Sequence, residues 1–174
     1  MPDTTIYVAG TFDTKSAELS YLVDVLTSAG IAVKTVDLAA TGNTSGTDIS
    51  PQEVAAHHPD GVDAVFTGDR GTAVAGMATA FAKWCEENTD LIGGMISAGG
   101  SGGTALVTPA MQLLPIGTPK MMVSTVASGN VEPYVGPSDI MMMYSVTDVQ
   151  GINAISRKVL GNAAAAMALS LIHI

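Results

Sequence analysis

Hydrophobic residues in this chain fall into short unbroken runs, separated by longer stretches where they recur every three or four positions. Thr4–Ala9 (TTIYVA) is the first run and ends at Gly10. Thr11–Thr14 reads as a loop. Beyond it Leu19, Leu22, Val23 and Leu26 fall at i, i+3, i+4 and i+7, one face of a helix over Lys15–Ala29. Thr14 or Asp13 suits the start of that helix as a cap, and Gly30 its end. Ile31–Val36 is a second strand, ending near Asp37, and Ala39–Ser50 is a polar loop without periodicity. Ser50, Pro51 and Glu53 mark the start of a short helix, with Ser as cap and Pro at the first helical position. Val62–Phe66 fits either a short strand or an extended connector. Gly71–Asn88 has the strongest helical stripe, Val74, Met77, Ala78, Phe81 and Cys85, with Asp69 as its cap. Leu91–Ile96 reads as a buried strand and Thr104–Leu113 as a helix before Pro115. Lys120–Ser124 and Ile140–Tyr144 are further strands, with a loop over Thr125–Gly136 between them, and Val149–Met167 is a terminal helix.

Strands with little alternation, separated by helices, predict a parallel sheet covered on both faces. The expected fold is α/β: a three-layer α/β/α domain with a mainly parallel sheet of about five strands. Ligands of such sheets sit beyond the carboxyl ends of the strands, where the strand order reverses. Gly10–Lys15, Gly99–Thr104 and Ser124–Asn130 each follow a strand, so they are expected to converge on one edge.

The stretch Gly99-Gly100-Ser101-Gly102-Gly103-Thr104 stands out. Glycine lets the backbone approach a ligand closely. A strand that feeds such a loop into a helix start presents free N–H groups to an anion. Ordinary turn chemistry explains the glycines equally well. The stretch lacks the spacing Gly-x-x-x-x-Gly-Lys-Ser/Thr of an NTPase loop, and no Gly-x-Gly-x-x-Gly opens the first helix. The candidate anion-binding residues after the first strand are Gly10, Thr11, Asp13, Thr14 and Lys15. In the glycine stretch they are Gly99, Gly100, Ser101, Gly102, Gly103 and Thr104. After Lys120–Ser124 they are Ser124, Thr125, Ser128 and Gly129. Lys15 suits a phosphate as a mobile point charge, or is a solvated lysine. Asp13 suits a magnesium ion, a ribose hydroxyl or a helix cap. Arg70 serves an anion or a structural ion pair. Ser101 lacks the spacing of a nucleophile elbow. His57, His58 and His173 lie far from it in sequence, so no histidine is named as a base, and Asp13 is the least poor candidate for that role.

The 174 residues are one domain's worth. Hydrophobic residues make up 47% and charged ones 13%, which argues against disorder. Seven basic residues against 16 acidic ones leave a net charge of -9, so no basic patch exists to track a nucleic-acid backbone. No run reaches membrane-spanning length and no signal peptide is evident, so neither nucleic acid nor membrane is an expected partner and the expected location is cytoplasmic. The one cysteine, Cys85, excludes an internal disulfide and reads as a buried, inert thiol.

Three blocks carry a resemblance. They are Gly10–Lys15, the long stretch GGSGGTALVTPAMQLLPIGTPKMMVSTVASGNVEPYVG over Gly99–Gly136, and SDIMMMYSVTDVQGINAISRKVL over Ser138–Leu160. Together they closely resemble the Tm-1-like ATP-binding family, an otherwise uncharacterised family. The resemblance covers Thr4–Met167. It implies a Rossmann-like domain over residues 1–168 that binds ATP, with Asp13, Thr14, Lys15, Gly99–Thr104 and Ser124–Gly129 around the ligand. The resemblance also implies a longer architecture, since family members usually carry a second α/β domain after this one. The last residues, Leu169–Ile174 (LSLIHI), depart from the family pattern and read as an atypical tail. A missing C-terminal domain is expected to leave an apolar face bare, which favours a homodimer or other homo-oligomer.

The leading expectation is a nucleotide-binding domain, with ATP phosphates on the glycine-stretch amides and Lys15 and Mg²⁺ sharing their charge. The alternatives are an enzyme acting on a small anionic carboxylate or phosphate, and a protein-interaction module that nucleotide stabilises.

Overall fold

The apolar runs become five strands of one sheet: β1 (Ile6–Gly10), β2 (Val33–Asp37), β3 (Gly94–Gly99), β4 (Lys120–Ser124) and β5 (Met141–Tyr144). This is a computed structural model, and it describes residues 5–43 and 46–172; Thr4 and His173, both named above, lie outside them. Every pairing is parallel and the strand order is β2-β1-β3-β4-β5. Ile6 stands level with Val33 on one side and Gly94 on the other.

Alternate residues of each strand enter different layers. Tyr7 and Ala9 of β1, Met95 of β3 and Met122 of β4 face the helices α2 (Pro51–Ala55), α3 (Arg70–Glu87) and α4 (Ser101–Leu113). Met77, Phe81 and Trp84 fill that layer, with Phe81 stacked on Trp84 at 5.9 Å. Ile6, Val8, Ile96 and Val123 face α1 (Phe12–Ser28) and α6 (Ala154–Ile172). The chain is thus a three-layer α/β/α, Rossmann-like domain with an all-parallel sheet. Cys85 is fully buried among apolar side chains, and that burial pushes its thiol up, so it stays protonated. Among the described residues, no helix is long and apolar enough to cross a membrane.

Several elements differ from expectation, each for a local reason. Thr11–Thr14 is not a loop, because α1 already begins at Phe12. Phe12 is buried, and its N–H donates to Asp37 Oδ1 at 3.1 Å, so neither Asp13 nor Thr14 caps this helix. Lys15 then interrupts the helix with φ −123° and ψ 23°. The glycine stretch is mostly helix: Gly99 ends β3, Gly100 is the N-cap, and Ser101–Thr104 form the first turn of α4. Leu91 belongs to a 3₁₀ turn over Thr89–Leu91, and β3 starts later, at Gly94. A side chain at Gly94 would meet the end of the Met167 side chain at 2.8 Å and the Pro119 carbonyl at 3.2 Å, so glycine here lets α6 pack closely on the strand without moving that methionine. Val62–Ala64 is a 3₁₀ turn rather than a strand. The loop after β4 holds a 3₁₀ turn over Thr125–Ser128 and a one-turn helix, α5 (Glu132–Val135). The terminal helix begins at Ala154, because Asn153 Oδ1 accepts the N–H groups of Ile155 and Ser156. It extends to Ile172, into the segment expected as a tail, with Leu171 buried in the α1–α6 layer and Leu169 exposed. Two expected caps are present. Ser50 and Glu53 form a reciprocal capping box, and Asp69 accepts the Thr72 N–H at 2.9 Å.

One clamp secures the amino-terminal ends of β4 and β5. Lys120 is fully buried, and its Nζ donates to Asp139 Oδ1 at 2.5 Å and to the Pro115 carbonyl at 2.8 Å. Asp139 Oδ2 accepts the Gly117 N–H at 2.8 Å. The Lys120 hydrogen bond holds the Asp139 carboxyl below the usual carboxylate range. Asp139→Ala leaves the ammonium buried without its counter-charge and is expected to destabilise the domain by about 2–3 kcal/mol in urea unfolding, whereas Lys120→Met costs less. Because the folded carboxyl titrates lower than the unfolded one, its contribution is complete above the unfolded value near pH 4. It is then lost as the pH falls through the folded value. The urea midpoint of the wild type is therefore expected to drop more steeply as the pH falls below about 4 than that of Asp139→Ala.

Candidate functional site

β1 and β3 are neighbours in the sheet, but the chain leaves them in opposite directions. After β1 it enters α1 on one face, and after β3 it enters α4 on the other. Between the two departures lies a cleft of about 800 Å³. Thr11, Asp13, Thr14 and Lys15 line one wall, and Gly99 through Gly103 line another. The start of α3 supplies a third through Gly68, Asp69 and Arg70. Phe66, Ala73, Val74 and Leu106 make an apolar portion. Three helix starts therefore border one space, which lies where the strand order reverses.

The α4 start is the least satisfied of the three. Gly100 provides no side-chain cap. Among the described residues, the first turn closes with Thr104 N–H on the Gly100 carbonyl, and no acceptor meets the N–H groups of Ser101, Gly102 or Gly103. A Cβ placed on Gly102 or Gly103 would meet nothing within 4 Å. Buried side chains anchor this turn from behind. Thr104 Oγ1 donates to the Gly100 carbonyl at 2.8 Å and lies 2.6 Å from Ser124 Oγ. Ser124 Oγ in turn accepts the Val126 N–H at 3.2 Å. Thr104 and Ser124 are both fully buried, so they hold the turn in place and do not line the cleft. Thr125 Oγ1 lies 3.7 Å from where a Cβ on Gly100 would sit. Ser128 and Gly129 are exposed and outside the cleft. Gly10 is buried beneath Leu19 and also leaves the cleft to its neighbours.

The first wall is organised by a residue that the sequence reading passed over. Asp37, fully buried at the end of β2, accepts the N–H groups of Phe12 and Ala39 through Oδ1, at 3.1 and 2.9 Å. One carboxylate thus fixes the start of α1 and the turn after β2. The visible signal was an acid embedded in the apolar run around Val36 and Leu38. Asp13 Oδ2 accepts the Thr41 hydroxyl at 3.1 Å, which ties the loop after β2 to the cleft. Thr11 and Thr14 pair their hydroxyls at 2.8 Å. Lys15 Nζ donates to the Val149 carbonyl in the loop between β5 and α6. Glu18 Oε1 accepts the Gly151 N–H of the same loop at 2.5 Å.

Among the described residues, no serine–histidine or cysteine–histidine pair lines the cleft. Ser101 is exposed, and no histidine or cysteine lines the space among the described residues. His57 pairs with Glu87 at 2.6 Å and His58 accepts the Asp60 N–H, both away from it. The backbone and side-chain bonds from Thr72 hold the Asp69 carboxyl below the usual range, so it stays a carboxylate occupied as the α3 cap. No group of three metal-ligating side chains occurs among the described residues.

Residues 4–172 match the N-terminal domain of the uncharacterised protein family UPF0261. The chain belongs to that family. A UPF0261 protein of Mesorhizobium japonicum is 53% identical over 164 residues, covering 94% of this chain and 41% of the relative. A UPF0261 protein of Clostridium tetani is 40% identical, covering 93% of this chain and 41% of the relative. The ToMV resistance protein Tm-1 of Solanum lycopersicum is 37% identical over 182 residues, covering 94% of this chain and 24% of that protein. The chain thus spans about two fifths of the length of the bacterial relatives.

Removing the Asp37 carboxylate strands two buried N–H donors, at about 1–3 kcal/mol each. Asp37→Ala is therefore expected to lower stability by about 2–4 kcal/mol in urea unfolding. Exposed Asp13→Ala is expected to change it by less than about 0.5 kcal/mol.

Proposed function

We propose that the cleft is a nucleotide site and that ATP is its representative ligand. The single observation that carries this reading is the uncapped start of α4, whose Ser101, Gly102 and Gly103 N–H groups border the cleft with no acceptor. A helix start of this kind favours an anion through both its free donors and its dipole. The open space over Gly102 and Gly103 suits the close approach of phosphoryl oxygens. A bare phosphate would leave most of a cleft of about 800 Å³ unfilled. The apolar portion made by Phe66, Val74 and Leu106 suits a base. Mg²⁺ enters with the phosphates, and Asp13 is the carboxylate on the cleft wall suited to one of its positions. Bound Mg²⁺ would neutralise phosphoryl charge. Thr11 and Thr14 offer hydroxyl donors, and the buried Thr104–Ser124 pair keeps the amides aligned. With no side-chain base apparent, the site binds and orients phosphates, and any transfer chemistry rests on electrostatic stabilisation.

Calorimetric titration with ATP, AMP and inorganic phosphate, with and without Mg²⁺, tests this reading. The expected order of affinity is ATP, then AMP, then phosphate. Phosphate binding as tightly as ATP would overturn it in favour of a small-anion site, and no heat with any of the three would overturn it outright. Gly102→Glu separates binding from folding. Its side chain meets open space, and an acidic group in the first turn favours the helix, so the unfolding midpoint is kept. Its carboxylate occupies the anion position, so ATP affinity is expected to fall by about tenfold or more, roughly 1.4 kcal/mol.

A further inference from the structure

We infer that Arg70, rather than Lys15, is the cation that meets the ligand's phosphates; this rests on the nucleotide reading of the cleft. The chain holds only seven basic residues, and their engagements separate them. Lys83 pairs with Glu86 at 2.8 Å, and buried Lys120 pairs with Asp139. Lys34 lies over the Tyr7 ring at 5.9 Å and Arg157 over the Tyr21 ring at 5.3 Å. Lys15 reaches the Val149 carbonyl. Among the described residues, that leaves Arg70 and Lys158 without a partner, and only Arg70 lines the cleft.

Its position is electrostatically odd for a structural arginine. Arg70 is the first residue of α3, where the helix dipole disfavours a cation. The neighbouring carboxylate does not compensate by pairing, because Asp69 accepts the Thr72 N–H and hydroxyl instead. The turn that aims this segment passes through Gly68 at φ +81°, a conformation that side chains rarely adopt. An anion in the cleft relieves the mismatch. It also places a guanidinium fork opposite phosphoryl oxygens, which that fork matches with two parallel hydrogen bonds. Lys15 remains on the wall as a positioning residue: its bond to Val149 joins α1 to the loop before α6.

The consequence is a selectivity for phosphate number. Calorimetry on the whole chain, with AMP, ADP and ATP as probes, compares wild type, Arg70→Ala, Arg70→Lys and Lys15→Ala. In the wild type, affinity is expected to climb with each added phosphate. Arg70→Ala is expected to weaken ATP by about 10- to 100-fold and AMP by less than about threefold, flattening that climb, with an unchanged unfolding midpoint. Arg70→Lys restores part of the climb, because the charge returns without the fork. Lys15→Ala lowers the unfolding midpoint and weakens ATP by a smaller factor than Arg70→Ala. Equal weakening of AMP and ATP by Arg70→Ala, or a larger ATP loss in a folded Lys15→Ala, overturns the assignment of Arg70 while leaving the nucleotide site standing. A wild type that binds none of the three overturns the nucleotide reading and this inference together.

Discussion

The reversal of strand order between β1 and β3 is the constraint on which everything else depends. Two parallel strands lie side by side, yet right-handed crossovers carry the chain from one to α1 and from the other to α4, on opposite faces. The backbones must therefore part at the carboxyl edge. No side chain has to be removed to open the cleft, because the topology itself leaves it unfilled. The start of α3 then closes a third side, since its helix packs beside α4 in the same layer.

Once that gap exists, its polarity follows from how the surrounding groups are satisfied. Backbone donors and acceptors in a folded chain are almost all paired. Asp37 serves the donor that begins α1, and Asp69 serves the start of α3. The start of α4 has no such acid, and three successive amides are left facing the cleft. The acidic chain therefore presents unpaired backbone donors and the positive end of a helix dipole to this cleft, beside the lining side chains Lys15 and Arg70. The scarcity of cations makes this more telling. Five of the seven are tied to carboxylates, carbonyls or aromatic rings, so an unpaired arginine on the wall of the same cleft is not a by-product of a basic surface.

Much of the architecture was legible because its signals are local. Lys120–Ser124 matches its strand residue for residue, and the Ser50–Glu53 capping box and the Asp69 cap declared themselves by residue type and spacing. The glycine stretch was legible as a special place but not as a shape. Glycines discourage a helix assignment, yet Ser101–Thr104 is helical because Thr104 is pinned by buried Ser124, twenty residues away. The helical start at Phe12 was hidden in the same way, since the acid that supports it comes from β2. Lys15 looked like a free charge at a helix start, and the contact that engages it comes from the far end of the chain.

The sequence by itself determined the class of fold, the order of its elements and the neighbourhoods rich in backbone donors, since these follow from hydrophobic period, caps and glycine placement acting over a few residues. Only the tertiary structure decided which of those neighbourhoods share a space. It set Thr11, Asp13, Thr14, Lys15 and Gly99–Gly103 around one cleft, withdrew Thr104 and Ser124 into its supports, and added Arg70 together with an apolar wall of Phe66, Ala73, Val74 and Leu106. The reason is physical. Which loops meet is fixed by strand order and crossover hand, and whether a polar group is free or engaged depends on partners brought from distant parts of the chain.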